Sequence, residues 1–279
     1  MKKVLALLLA VVMVFALAAC GQSAAPAPSA APAEAPAASE APAEAPAEAA
    51  PAEEAPAEAP AAAVLSYADY VAADLDSEVT VETYVQDKQA WWDNKATFYT
   101  QNEEGAFFLY NMPCTQEEYD ALVPGTKIRV TGFKSEWSGE VEIVDISSFE
   151  VIEGDTFVAG PVTLDTLFGT DQLPEFINQF FSLSDVTVVG KTDESTGEEL
   201  AFFYDWDNSG AEKQDADLYF DCSVNGETYT FVVEYYLRNE ASDVYQAVKN
   251  LKVGDVIDLE GFLYWYNGPQ PHITAVTVK

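Results

Sequence analysis

The residues best suited to chemistry in this chain are aromatic rings with carboxylates near them. Trp91 and Trp92 stand together in a polar connection, Trp137 sits beside Ser138 and Gly139, and Tyr264, Trp265 and Tyr266 precede Asn267 and Gly268. Flat apolar rings stack on the C–H faces of sugars, and neighbouring acids accept from their hydroxyls. Trp91, Trp92, Trp137, Tyr264 and Tyr266 are therefore the candidate ligand-binding residues. The same rings could equally close a barrel or join two packed units. Patterns for catalysis are missing. There is one histidine, His272, and no GxSxG, HExxH or CxxC, which excludes a serine triad or a two-histidine zinc site, so no enzyme is expected. His272 follows Pro271 and reads as a partly exposed residue at a strand start, not as a base or ligand.

Asp205, Asp207, Ser209 and Gly210 fill positions 1, 3, 5 and 6 of a calcium loop, but Ala216 stands where a bidentate Glu is needed. That is half a motif and a weak Ca²⁺ candidate, since a polar turn between strands uses the same residue types. No other cofactor is expected. Cys114 and Cys222 fall at non-equivalent places in the chain and read as buried free thiols, each a small hydrophobe. The net charge of −34 argues against nucleic acid as a partner, because phosphate backbones attract the opposite sign. It suits an exported chain kept soluble, or one that holds cations.

The elements that must position these residues come in two copies. LVPGTKIRVTGFKSEWSGEVEI, from Leu122, returns as LKVGDVIDLEGFLYWYNGPQPHI from Leu251, with Gly132 and Phe133 falling on Gly261 and Phe262 and Gly139 on Gly268. SEVTVE at Ser77 matches SDVTVV at Ser184 at a shorter offset, which places an insertion of 22 residues among the early strands of the second copy. In the first copy, SYADYVAADL gives a short amphipathic helix capped by Ser66, with Tyr67, Tyr70, Val71 and Leu75 on one face. SEVTVETYVQD, KATFYTQ and AFFLYNM follow as strands. TQEEYDAL is a helix with a Thr115–Glu118 capping box, and TKIRVTGF with EVEIVDISSFEV makes a hairpin. In the second copy the strands are SDVTVV, ELAFFYDW, ADLYFDCSV and TYTFVVEYYL, then the helix SDVYQAVKNL, then DVIDLEGFLYWY and PHITAVTV. Three strands, a helix and two strands is the order of the OB-fold, a five-stranded Greek-key barrel. The expected fold class is all-β with short helices: two tandem OB-like five-stranded barrels after a disordered Ala/Pro/Glu-rich linker. Gly132 and Gly261 are expected where a strand bends to close each barrel.

Domain bounds follow: 1–20 a signal peptide and lipobox, 21–63 the linker, 64–155 the first OB-like domain and 156–279 the second, expanded one. MKK followed by a short apolar run and LAAC reads as a secretory signal. LAAC resembles the lipobox of bacterial lipoproteins, which implies lipidation at Cys20 and a membrane partner through that anchor. The APAE-rich tract cannot bury a core, and its prolines and repelling glutamates make a semi-stiff spacer. SEVTVETYVQDKQAWWDNKATFYTQ with VPGTKIRVTGFKSEWSGEVEI resembles the OB-like module of uncharacterised surface lipoproteins of Gram-positive anaerobes. That resemblance implies fold and a place on the outer face of the cell membrane, but no activity. The function expected is a lipid-anchored, non-catalytic cell-surface binding module that takes cell-wall or other glycans. The alternative is a structural or accessory subunit of an envelope or transport complex, acting by contact with an envelope protein.

Overall fold

In the computed structural model, residues 63–279 are described. Cys20 and all but the last residue of the linker lie outside them. Among the described residues no helix is long and apolar enough to cross a membrane.

Helix α1 (Tyr67–Ala72) is capped by the Ser66 hydroxyl, which accepts from the Asp69 N–H at 3.1 Å. It is shorter than its apolar pattern suggests. Only Tyr70 is buried, its ring packed 4.9 Å from that of Phe107, while Val71 and Leu75 face outward. The reason is at its end. The Lys134 ammonium, itself buried, donates to the carbonyls of Tyr70, Val71 and Ala73 and satisfies the groups a longer helix would have used.

The first barrel follows as β1 (Glu78–Lys88), β2 (Lys95–Gln101), β3 (Ala106–Pro113), α2 (Gln116–Ala121), β4 (Lys127–Trp137) and β5 (Glu140–Val151). It closes in the order β1-β2-β3-β5-β4, with β3 and β5 parallel at Phe108↔Glu142 and Leu109↔Ile143. The Thr115–Glu118 capping box is formed. Alternating inward residues, among them Val81, Phe98, Leu109, Ile128 and Ile143, fill the interior.

The second barrel repeats this with additions. A short β6 (Val162–Thr163) precedes β7 (Phe180–Val189), and the insertion forms the hairpin β8 (Lys191–Thr192) and β9 (Glu199–Leu200) plus an edge strand β10 (Phe203–Tyr204). Then come β11 (Leu218–Val224), β12 (Glu227–Val233), α3 (Asp243–Lys249), β13 (Val256–Phe262) and β14 (His272–Val278). The seven-stranded sheet β10-β11-β12-β14-β13-β7-β6 is closed by a β11–β7 pairing, which leaves five strands in the same cyclic order as the first barrel. β12 and β14 again run parallel. Both copies thus have OB topology.

Gly132 and Gly261 both sit at register shifts in the final hairpins. A Cβ at Gly261 would lie 2.2 Å from the His272 carbonyl oxygen, and one at Gly132 would lie 2.8 Å from that of Val144, so each bend requires glycine. Three strands expected from the sequence are shorter. ELAFFYDW breaks into β9 and β10, two residues each, which pair with β8 and β11. TYTFVVEYYL leaves the sheet after Val233, because the Glu234 carboxylate accepts from the N–H groups of Tyr236 and Leu237 and turns the chain. DVIDLEGFLYWY ends at Phe262, and its last four residues form a loop.

Candidate functional site

The two barrels share a buried junction. Tyr99 and Phe108 of the first pack with Leu237 and Phe262 of the second, and the rings of Tyr99 and Phe262 stack at 4.5 Å. The Tyr99 hydroxyl lies 2.5 Å from His272 Nδ1, and the Tyr264 ring stacks on the His272 ring at 4.1 Å. His272 is therefore buried at the junction and not partly exposed, and burial holds its pKa down to about 3. Across the same junction Glu140 Oε2 accepts from the Trp265 N–H at 2.8 Å, and the Asn267 N–H donates to the Ser138 carbonyl at 2.7 Å. An ion pair between Asp87 and Arg238 adds a further link between the barrels.

These contacts bring the two copies of the repeated hairpin together at their tips. Trp137 ends β4, and a two-residue turn at Ser138 (φ 55°) and Gly139 (φ 90°) leads into β5. Its counterpart 129 residues later is Tyr266, and the two rings touch, centroids 5.1 Å apart. A Cβ on Gly139 would lie 2.7 Å from the Trp265 indole, so glycine is what lets that indole seat against the turn.

Beside this pair opens a cleft of about 700 Å³. Trp137 and Tyr266 stand at its edge, 54% and 42% exposed, with Tyr264, Tyr219 and Gln270 also lining it. Trp206, 73% exposed, reaches it from the insertion. Asp217 and Glu234 supply two half-buried carboxylates. Burial raises the Asp217 carboxyl to about 6, helped by Asp205, and the Glu234 carboxyl to about 7, helped by Asp217. Each carboxylate is held by backbone: Asp217 Oδ1 accepts from the Tyr235 N–H at 2.8 Å, and Glu234 from Tyr236 and Leu237. The site combines rings for stacking, an amide and two oriented acids in a half-open groove.

Of the five candidate aromatics, Trp137, Tyr264 and Tyr266 meet here. Trp91 and Trp92 are not brought to the cleft. The Trp91 ring packs on the first barrel's core and its Nε1 donates to the Cys114 carbonyl at 2.9 Å, whereas Trp92 is exposed beneath the Lys95 ammonium. The rings divide between two places. Tyr264 and Trp265 join the barrels, while Trp137 and Tyr266 stay open to solvent.

Asp205, Asp207 and Ser209 build a turn. The Ser209 N–H donates to Asp207 Oδ1, Asp205 exchanges hydrogen bonds with Asp217, and Asn208 bridges Tyr204 and Asp193. Among the described residues no group of three or more His, Cys, Asp or Glu is placed to hold a metal. What the turn does is position Trp206 and Asp217 at the cleft. Sequence reasoning missed Trp206, Tyr219, Asp217, Glu234 and Gln270. A tryptophan in the polar turn DWDNSG was the available signal for the first. Cys114 and Cys222 are free and buried, and burial pushes their thiols up to about 11 and about 12.

Comparison with known protein families and with curated proteins gives no match. Solved structures similar to this chain include the tetrameric p202 HIN2 domain (12% identity, TM-score 0.31, covering 74% of this chain and 96% of that one). Another is the Ifi202 HINa domain in complex with 20bp dsDNA (13% identity, TM-score 0.29, 74% and 96%). A third is a Replication Protein A heterotrimer bound to ssDNA (9% identity, TM-score 0.26, 72% and 49%). These likenesses concern the fold alone: tandem OB-like barrels. Two of these structures are complexes with DNA, which is said of those proteins alone. The expectation drawn from net charge, that nucleic acid is an unlikely partner, is withdrawn. A charge summed over a chain does not describe one face of it, since exposed charges are screened beyond about 10 Å in 0.1 M salt.

Proposed function

We infer that this protein is a non-catalytic glycan-binding module, held on the outer face of the cell membrane by a lipid at Cys20, whose ligand lies in the cleft beside Trp137 and Tyr266. The observation that carries this reading is the pair itself. Two equivalent positions of a repeat both bear aromatic rings, the rings meet, and they stay exposed at the edge of a 700 Å³ groove lined with hydrogen-bonding groups. A sugar ring stacks on such a surface by its C–H face, and the acids and Gln270 are placed to bond its hydroxyls. The lipid anchor is supported by LAAC at the end of the apolar leader, and Cys20→Ser is expected to release the protein from membranes; unchanged partitioning into detergent would contradict it.

The test of the glycan reading is a binding panel of cell-wall fragments and neutral oligosaccharides, with single-stranded DNA oligonucleotides alongside. Saturable binding to a sugar that quenches tryptophan fluorescence is the expected outcome. Binding to oligonucleotides alone, or to an envelope protein with no sugar bound, would replace this reading.

A further inference from the structure

The cleft's two acids lack a cation of the kind three other acids have, as do the more deeply buried Glu140 and Glu142. Glu82 is paired with Lys127 and Arg129 at 2.7 Å, Asp221 with Lys191 at 3.0 Å, and Asp87 with Arg238. These are acids on the barrel walls, each partly withdrawn from water and each given a cation. Asp217 and Glu234 are also partly withdrawn, yet neither takes part in an ion pair among the described residues, and no Lys or Arg lines the cleft. His272, the one basic side chain there, is buried and neutral. Two acids with backbone donors alone, Asp217 mostly and Glu234 partly ionised at neutral pH, are left facing a groove walled by Trp137, Trp206, Tyr219, Tyr264 and Tyr266. Aromatic faces carry a negative quadrupole and attract cations, most strongly where water is thinned. Rings and carboxylates here favour one charge sign in the occupant.

We propose that the cleft selects glycans bearing free amino groups, that is, oligosaccharides of de-N-acetylated amino sugars, with an ammonium set against Asp217 and Glu234 and the sugar face on Trp137 and Tyr266. This rests on the glycan reading and sharpens it. An N-acetyl group at the same position would place a neutral amide against two acids and leave them without a partner, a mismatch that costs affinity.

The experiment is calorimetric titration of the full-length chain at neutral pH with a glucosamine tetramer, the matching N-acetylglucosamine tetramer, tetramethylammonium and calcium chloride. The glucosamine tetramer is expected to bind about tenfold tighter than its acetylated form. Asp217→Asn with Glu234→Gln should erase that preference: the Asn oxygen still accepts from Tyr235 N–H and the Gln oxygen from Leu237 N–H, while the charge and the weaker bond from Tyr236 N–H are lost. Matching melting curves would show that the variant is folded. Trp137→Ala should weaken both sugars. Equal or reversed preference, with both sugars still sensitive to Trp137→Ala, would overturn the charge selection and leave the glycan reading intact. Calcium binding that depends on the same two acids, with no difference between the sugars, would overturn it in favour of a metal. Tetramethylammonium binding with neither sugar bound would overturn the glycan reading, and this proposal with it.

Discussion

The final hairpins of the two barrels start from nearly the same sequence and end differently. In the first, β4 and β5 pair all the way to the tip, the last pair being Trp137↔Glu140 across a two-residue turn. In the second, the continuous ladder ends at Phe262↔His272, and the nine residues between them keep only an isolated bridge, Trp265↔Pro269, with the Gln270 N–H donating to the Tyr264 carbonyl. The difference includes two prolines. Pro269 and Pro271 have no N–H to give a ladder, so the pairing toward Tyr266 is broken rather than continuous. The freed segment instead caps the junction through the Trp265 N–H to Glu140 and the Asn267 N–H to Ser138. One copy is a stiff blade, the other a broad loop that folds over it, and the groove forms beside them. A repeat thus gains a groove by keeping one hairpin and opening its twin.

The largest expected effect breaks the junction that holds the two hairpins together. Tyr99→Ala removes a ring buried between the barrels and should cost about 3 to 5 kcal/mol, seen as a fall in the urea midpoint. Tyr99→Phe keeps the packing and loses the bond to His272, for about 1 kcal/mol. If Tyr99→Ala melted like the wild type, the barrels would be independent and the cleft would have no fixed wall.

Next in size is the bend that the hairpins share. Gly261→Ala meets backbone on both sides, His272 O at 2.2 Å and Ile273 Cα at 2.9 Å, whereas Gly132→Ala meets a movable Ile143 methyl as well as Val144 O, both at 2.8 Å. Both should destabilise, Gly261→Ala by about 3 kcal/mol and Gly132→Ala by about 1 to 2 kcal/mol. The reverse ranking in chemical denaturation would mean that the second hairpin is the more adaptable one.

A smaller effect separates the two hairpins by pH. Burial raises the Glu140 carboxyl from 4.5 to about 8. The folded protein then keeps a proton that the unfolded chain releases from pH 4.5 upward, so stability is complete below 4.5 and is lost as pH rises toward 8. Glu142 and Asp217, both near 6, and Glu234 near 7 act in the same direction. His272 opposes them: held near 3 against an ordinary 6.5, it contributes stability above 6.5 that is lost as pH falls toward 3. Melting temperature should therefore decline between pH 6.5 and 8.5, and Glu140→Gln should flatten the slope. An unchanged slope in that variant would remove Glu140 as its source.

How much of this was legible follows from what each feature depends on. The barrel order could be read because alternation, capping residues and the paired glycines are local, and the repeat gave each element twice. Trp137 and Tyr266 were found for the same reason. The cleft was not, because Trp206, Asp217 and Glu234 reach it from the insertion and from the turn after β12, places where no pattern reports which way a side chain points. His272 was misplaced because a proline and a strand start suggest an edge, while its burial comes from Tyr99, 173 residues away. A net charge is a sum over the whole chain and reports nothing about one face, so it could not decide the partner.

The smallest expected change in stability carries the most direct test of the site. Trp137 and Trp92 are almost equally exposed, 54% and 51%, but only Trp137 stands at the cleft. Trp137→Ala and Trp92→Ala should each shift stability by no more than about 0.5 kcal/mol. Titrated with the best sugar from the binding panel, Trp137→Ala should lose at least about tenfold in affinity while Trp92→Ala binds like the wild type. Wild-type affinity in Trp137→Ala, or equal losses in both variants, would contradict the assignment of the cleft as the binding site.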